Sequence, residues 1–450
     1  MNQSGELVII GSGIAGISAA LSARKEYPQA SISVYTEESF RPYNKIALGA
    51  YIPGKKTQGA LRLFADTWLK QHRIAYRVRE RVQKIHPDKK LITFESGIAR
   101  SYDSLILATG VSNFIPPIAG VQSEGVYPLW TLKDAVAIKN RIIGAQSIVV
   151  IGAGVLGVEL ADELSILGKS ITLVERMPYI IPHLLPPTIA NEYKQRLENK
   201  GITIHTQEEV TQIRPMQNKK QVVLQSGMEC DADMIIIVTG VVPNIQLARD
   251  AELVVNRGIL VDHQLRTSDP TILACGNVIE MDGNVSLLWN PAKSQGMTAG
   301  INAFAPKQTW KPLPSIIHLK TPDNPLFIGG EDHTAAPGCV EIEDRGERGN
   351  DYRKFIFNNK NQFLSVIMLG NTYGHYEVEL AMKQQLSLPA EVIQGTQIQS
   401  ILEYVRAHYA HHQTTPRSWV CHMCGYVHEG EYPPEICPVC WVGKDQFTKA

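Results

Sequence analysis

Four cysteines near the C-terminus, Cys421, Cys424, Cys437 and Cys440, form two Cys-x-x-Cys pairs separated by twelve residues. Four thiolates at this spacing can close one tetrahedral site, and S4 sites hold either zinc or iron. The other three cysteines, Cys230, Cys275 and Cys339, stand singly and read as small buried residues rather than nucleophiles. The N-terminal residues carry Glu6 and run directly into a glycine motif, which does not read as a secretory signal. A cytoplasmic, reducing location is therefore expected, where paired cysteines mean metal ligands rather than disulfides.

A second chemistry is written twice, in glycine. Residues 7–23 read LVIIGSGIAGISAALSA and residues 148–164 read IVVIGAGVLGVELADEL, with Gly11 and Gly152 141 positions apart. Each is an apolar β-branched run, a Gly-x-Gly-x-x-Gly turn and a helical pattern. In the first copy Gly11 makes the turn, Gly13 lets the backbone approach a pyrophosphate at the helix N-terminus, and Gly16 permits close helix–strand packing. Glu37, 21 residues past Gly16, ends a second strand, where a carboxylate takes ribose hydroxyls. Gly152, Gly154 and Gly157 repeat the turn, with Glu175 18 residues on. Two complete fingerprints imply two dinucleotides. A carboxylate at Glu175 favours NADH because it repels the 2′-phosphate of NADPH, whereas the adjacent Arg176 could accommodate that phosphate.

The elements that must position these residues repeat as well. The strand patterns SISVYTE (residues 31–37) and SITLVE (residues 170–175) follow the two turns, and later strands close on Thr109-Gly110 and Thr239-Gly240. Beyond about residue 304, prolines at 306, 312, 314, 322 and 325 break the chain into short pieces such as KFIFN and FLSVIML, as in a separate α+β domain. Residues 398–409 read as helix, and HHQTTPRS after them reads as a linker. With 450 residues, several domains are expected. Lys plus Arg and Asp plus Glu are both 44, so no overall field favours nucleic acid or an acidic membrane surface. The longest apolar stretch, residues 148–158, is well short of the ~20 residues of a membrane span.

Over roughly residues 5–303 these motifs are similar to the FAD- and NAD-dependent pyridine-nucleotide disulfide oxidoreductases. The resemblance rests on both fingerprints, ATG at 108–110, TGVVPN at 239–244, GILVDHQLRTSDPTILACGN at 258–277, and Gln295-Gly296. It implies FAD at the first fingerprint, NAD(P)H at the second, and a chain that returns after about residue 243 to complete the FAD domain. It also implies that Thr109, Gly110, Asn277, Gln295 and Gly240 bind the cofactors. Two departures carry information. No cysteine precedes Cys230, so a thiol relay beside the flavin is not expected. Instead FRPYNKIALG (residues 40–49) resembles the subgroup that reduces rubredoxins, ferredoxins or nitrite reductase partners, in which residues matching Lys45 and Glu159 lie near the reactive edge of the flavin. As bare residues these two are a solvated loop lysine and a first-turn glutamate favouring a helix dipole. Asn277 stands where the family usually has an Asp that hydrogen-bonds the FAD ribityl chain, keeping an acceptor oxygen but losing the charge.

CGY and CPVC in the tail resemble the two knuckles of rubredoxin, and the twelve-residue gap resembles the short rubredoxin domain of rubrerythrins, although Trp441 replaces the small residue usual after the fourth cysteine. The resemblance implies iron at Cys421, Cys424, Cys437 and Cys440; a structural zinc ribbon is the other chemistry open to four thiolates. The expected architecture is α/β: two Rossmann-like domains (FAD, 1–112 plus 243–303; NAD, 113–242), an α+β domain (304–400), a linker (401–416) and a rubredoxin-like metal domain (417–450). The expected function, with Lys45 and Glu159 in catalytic roles, is NADH-dependent reduction of FAD with electrons passed through the chain's own iron to a flavodiiron, rubrerythrin or superoxide-reductase type acceptor. Open beside it stand an NADH oxidase or ferredoxin-type reductase with a zinc-ribbon docking tail, and a non-catalytic NADH sensor.

Overall fold

The computed structural model describes residues 5–64, 67–319, 321, 323–330, 337–346, 351–394, 397–411, 418–421, 427–429, 432–435, 444 and 447–449. Its α/β fold is built on two parallel five-stranded sheets. In the first, Glu6–Ile10 lies at the centre, flanked by Ser31–Thr36 and then Ile74–Val78 on one side and by Ser104–Leu107 and then Ile272–Ala274 on the other. The second repeats this order with Ser147–Ile151 at the centre, Ser170–Glu175 and Ile202–Thr206 on one side, and Met234–Ile237 and Val126–Pro128 on the other. Parallel strands are covered on both faces, which is why both central strands are continuous β-branched runs. Leu7, Val8 and Ile9 are fully buried, as is Val150; each such side chain contributes roughly 1.5–3 kcal/mol of hydrophobic stabilisation.

Each half also holds a separate three-stranded antiparallel sheet that the sequence patterns did not announce: Val82–His86, Leu91–Phe94 and Ala99–Ser101 in one half, and Val210–Pro215, Lys220–Leu224 and Glu229–Ala232 in the other. The chain leaves the first half and re-enters it along one antiparallel pair, Val111–Asn113 against Val241–Pro243. Asn244 fastens this crossing. Its amide donates to the Thr109 carbonyl at 2.8 Å, its own carbonyl accepts from Thr109 Oγ1 at 3.1 Å, and its Oδ1 accepts from Ser112 Oγ at 2.7 Å. The return also brings helix Trp289–Ile301 onto helix Ile14–Glu26, so closely that a Cβ on Gly296 would stand 2.1 Å from the Ala15 carbonyl oxygen.

The C-terminal α+β domain is an antiparallel sheet in the order Ile316–Leu319, Leu326–Gly329, Phe363–Leu369, Tyr352–Phe357, Val340–Arg345. Helix Ile398–His411 packs on this domain through buried Ile398, Ile401, Leu402 and Val405. The linker boundary expected at residue 401 therefore falls inside a helix. The polar HHQTTPRS signal marks the chain beyond this helix, whereas the apolar spacing at 398, 401, 402 and 405 continues the domain. In the tail, Ser418–Cys421 pairs antiparallel with Val427–Glu429 and Phe447–Lys449. Phe447 is buried in the same apolar cluster as the first sheet, and Trp419 packs against that cluster. Among the described residues, no helix is long and apolar enough to cross a membrane.

Candidate functional site

Both glycine turns follow the logic of their sequence. Gly11 has φ +108° and Gly152 +105°, left-handed backbone that favours glycine. A Cβ on Gly16 would stand 2.0 Å from the Gly11 carbonyl oxygen, and one on Gly157 1.9 Å from that of Gly152, so both helices press directly onto their turns. Gly13 and Gly154 are different. Each begins its helix with extended backbone, and a Cβ there would meet no protein atom within 4 Å. That empty space faces one continuous cavity of about 2490 Å³. A pocket for a single small molecule holds about 300–1,000 Å³, so this one has room for two dinucleotides.

Gly11, Gly13, Thr109, Gly110, Glu37, Lys45 and Asn277 line the cavity from the first half, and Gly152, Gly154, Glu159, Glu175 and Gly240 line it from the second. Glu37 is exposed and lies 3.3 Å from Arg81 Nε. Glu175 is buried: Oε2 accepts from the Ala153 backbone N–H at 2.6 Å and Oε1 from that of Met177 at 2.8 Å. Three predicted residues do not reach the cavity wall. Gly16 and Gly157 act in packing, and Gln295 is buried behind the wall, its Oε1 accepting from the Gly276 N–H at 2.9 Å. Gln295 thus shapes the turn that presents Asn277.

Asn277 supplies the direct test of whether a flavin fits. Its Oδ1 is buried and has no hydrogen-bond partner, yet the residue lines the cavity. An unsatisfied buried acceptor costs about 1–3 kcal/mol, which a ribityl hydroxyl of bound FAD would offset by donating. The open Cβ positions at Gly13 and Gly154 leave room for two pyrophosphates at two helix N-termini. The residues present therefore fit FAD and a nicotinamide dinucleotide.

Lys45 has a partner that the sequence did not reveal. Its Nζ lies 3.2 Å from Glu38 Oε1, and Tyr43 donates its hydroxyl to Glu38 Oε2 at 2.7 Å while accepting from the Leu132 N–H at 2.9 Å. Burial and the Glu38 carboxylate push the Tyr43 hydroxyl far above its ordinary pKa, so it stays a donor. Lys45 also lies 5.7 Å from the centroids of the Tyr43 and Trp130 rings. Glu163, one turn beyond Glu159, lines the cavity too and is paired with Lys55 at 2.5 Å. The doublet Glu37-Glu38 was the one available signal for Glu38; nothing marked Glu163. Cys275 lines the cavity, and burial pushes its thiol up to about 12, which keeps it protonated. Of the four expected metal ligands, Cys421 lies on a described strand, paired across it with Phe447, while Cys424, Cys437 and Cys440 lie outside the described residues.

Duplicated parallel sheets whose turns open on one shared cavity define a two-dinucleotide flavoenzyme. The chain belongs to the pyridine nucleotide-disulphide oxidoreductase family, which matches residues 5–296, and is an FAD-dependent NAD(P)H oxidoreductase. Residues 419–448 match the rubrerythrin, rubredoxin-like domain. Among its relatives is the Rubredoxin-NAD(+) reductase of Pseudomonas putida, 31% identical over 273 residues that make up 60% of this chain and 71% of that protein. The Nitric oxide reductase FlRd-NAD(+) reductase of Klebsiella pneumoniae is 29% identical over 330 residues, 73% of this chain and 87% of that one. The crystal structure of NADH:rubredoxin oxidoreductase from Clostridium acetobutylicum superposes with a TM-score of 0.69 at 26% identity, covering 89% of this chain and all of that one.

Proposed function

We propose that the chain is an NADH:rubredoxin reductase carrying its own acceptor: electrons pass from NADH through FAD to an iron centre in the tail and on to a flavodiiron, rubrerythrin or superoxide-reductase type partner. What carries this is the joining, in one chain, of a two-fingerprint cavity to a rubredoxin-like module. The protonated, unpaired Cys275 argues against a thiol relay, and the names of the P. putida and C. acetobutylicum relatives supply the acceptor class. FAD, when bound, accepts hydride and releases electrons singly. The chain's own part is to hold and orient. The helix N-termini at Gly13 and Gly154 would take the pyrophosphates, Asn277 would accept from the ribityl chain, and Glu175 would take the adenosine ribose. Lys45 and Glu159 would set the charge around the reactive edge of the flavin. Cys421, Cys424, Cys437 and Cys440 would hold iron, which unlike zinc cycles by one electron.

Truncation after Thr415 tests it. Reduction of FAD by NADH should stay within about twofold of the full chain when the two proteins are compared at equal FAD content, because hydride transfer needs only the two nucleotide sites, whereas the cut also uncovers the cluster that Phe447 and Trp419 pack against. Reduction of cytochrome c should fall about tenfold or more, and the isolated tail added in trans should restore part of it, limited by the lost effective concentration. Unchanged cytochrome c reduction, or stoichiometric zinc in protein expressed with ample iron, would remove the tail from the electron path.

A further inference from the structure

The C-terminal domain contributes its own chemistry to the cavity. His318, on strand Ile316–Leu319, and His375, Glu379 and Lys383, spaced by four on helix His375–Gln384, all line it. His318 Nε2 lies 3.1 Å from Glu379 Oε2, and the Lys383 ammonium pairs with Glu379 Oε1. Among the described residues, the His318 ring also meets the His375 ring, edge-on at 4.8 Å, and the Phe327 ring at 4.7 Å from the adjoining strand. An ionised carboxylate only accepts, so Nε2 of His318 carries the hydrogen and Nδ1 is the atom able to take a proton. His375 Nδ1 is 2.8 Å from the Thr372 carbonyl, which likewise only accepts, so that nitrogen carries the hydrogen.

One-electron delivery creates a need for such a group. A hydride is two electrons and a proton, and two ferric acceptors take only the electrons: NADH + 2 Fe(III) → NAD+ + 2 Fe(II) + H+. One proton per NADH must therefore leave the cavity. Imidazole is the side chain whose ordinary pKa lies closest to neutrality, and a carboxylate behind it fixes its tautomer and stabilises its charged form. We propose that His318, oriented by Glu379, accepts the proton left behind when the two electrons depart singly, a step that rests on the one-electron acceptor of the proposed function. Glu379 is the positioning residue, held by Lys383 on its other oxygen.

The experiment uses the full FAD-loaded chain, wild type, His318→Gln and His318→Ala, in anaerobic stopped flow with NADH and then ferricyanide. Ferricyanide takes single electrons from the flavin whether or not the tail is the exit, so failure of the tail's role and failure of this step are separable. In both variants reoxidation should slow about a hundredfold or more relative to flavin bleaching, the lower end of the usual range for losing a general base. Added imidazole should restore the rate in His318→Ala. Independently of turnover, a ¹⁵N titration of the His318 ring in the oxidised wild type should show the hydrogen on Nε2 and proton uptake at Nδ1 with the same midpoint as the pH profile of reoxidation, a coincidence that a purely structural role would not produce. An unchanged ratio of the two rates, no rescue by imidazole, or ring resonances that never change protonation would each overturn the proposal. Parallel loss of both rates with reduced FAD content would assign His318 a structural role and overturn it equally.

Discussion

The Glu175 carboxylate reaches back across the second fingerprint, its Oε2 2.6 Å from the backbone nitrogen of Ala153 between the two turn glycines. The residue expected to select the nucleotide therefore also braces the loop proposed to hold the pyrophosphate. Each carboxylate oxygen has a second lone pair, so accepting from Ala153 and Met177 leaves capacity for ribose hydroxyls. NADH should show the higher kcat/KM, and Glu175→Ala should narrow the gap to NADPH by roughly 1–3 kcal/mol, the scale of lost charge-assisted hydrogen bonds. The ratio of kcat/KM for the two nucleotides is the measurement. A wild-type preference for NADPH would shift the selecting role to Arg176.

The glycines of one fingerprint should separate into two behaviours. Gly13 has φ −65° and open space where a Cβ would go, so Gly13→Ala should melt within a few degrees of wild type as apoprotein yet bind FAD at least tenfold more weakly. Gly16→Ala would drive a methyl to 2.0 Å from the Gly11 carbonyl oxygen and should lower the apoprotein melting temperature as well. Thermal melts with FAD titrations of the two variants decide this. Equal destabilisation of both apoproteins would show that Gly13 is a packing residue.

What was legible in the sequence is what is local. The turn glycines lie within a few residues of the strand and helix they join, so spacing alone revealed the duplicated sheets. The antiparallel meanders were missed because strands such as Glu229–Ala232 carry little apolar alternation, two of their four residues being exposed. Lys45 and Glu38 are only seven residues apart, yet the fingerprint spacing marks Glu37 and is silent on its neighbour. His318 and Glu379 are 61 residues apart and meet only because helix His375–Gln384 packs on the C-terminal sheet, a contact no short motif encodes. The tail's cysteine spacing was plain; the burial of Phe447 against the first sheet's cluster is a long-range packing event and was not.

Asn277 should matter through one oxygen. Asn277→Leu keeps roughly the same volume but removes the buried acceptor, and it should raise the FAD dissociation constant about threefold to tenfold, the worth of one hydrogen bond. The apoprotein should be no less stable, because Oδ1 has no protein partner to lose. Fluorescence titration with FAD and a melt of the apoprotein measure the two effects; a destabilised apoprotein with unchanged FAD affinity would place the oxygen's role in the fold.

The ion pair behind His318 also predicts how stability depends on pH. Burial by itself raises the pKa of Glu379, but the hydrogen bonds from His318 and Lys383, with their charges, outweigh it and bring the carboxyl from its ordinary 4.5 to about 2. A carboxyl whose folded pKa is depressed contributes stability that is fully present above the unfolded value and is lost as pH falls through the folded one. The shift corresponds to roughly 3 kcal/mol at neutral pH, an upper figure because Lys383 is about one-third exposed and screened. Glu379→Gln should therefore melt several degrees below wild type at pH 7, and the gap should close as pH drops from about 4.5 toward 2. Wild type and variant are compared in melts across that window at constant ionic strength. A gap that stays constant with pH would mean that Glu379 stabilises the domain by packing rather than by its charge.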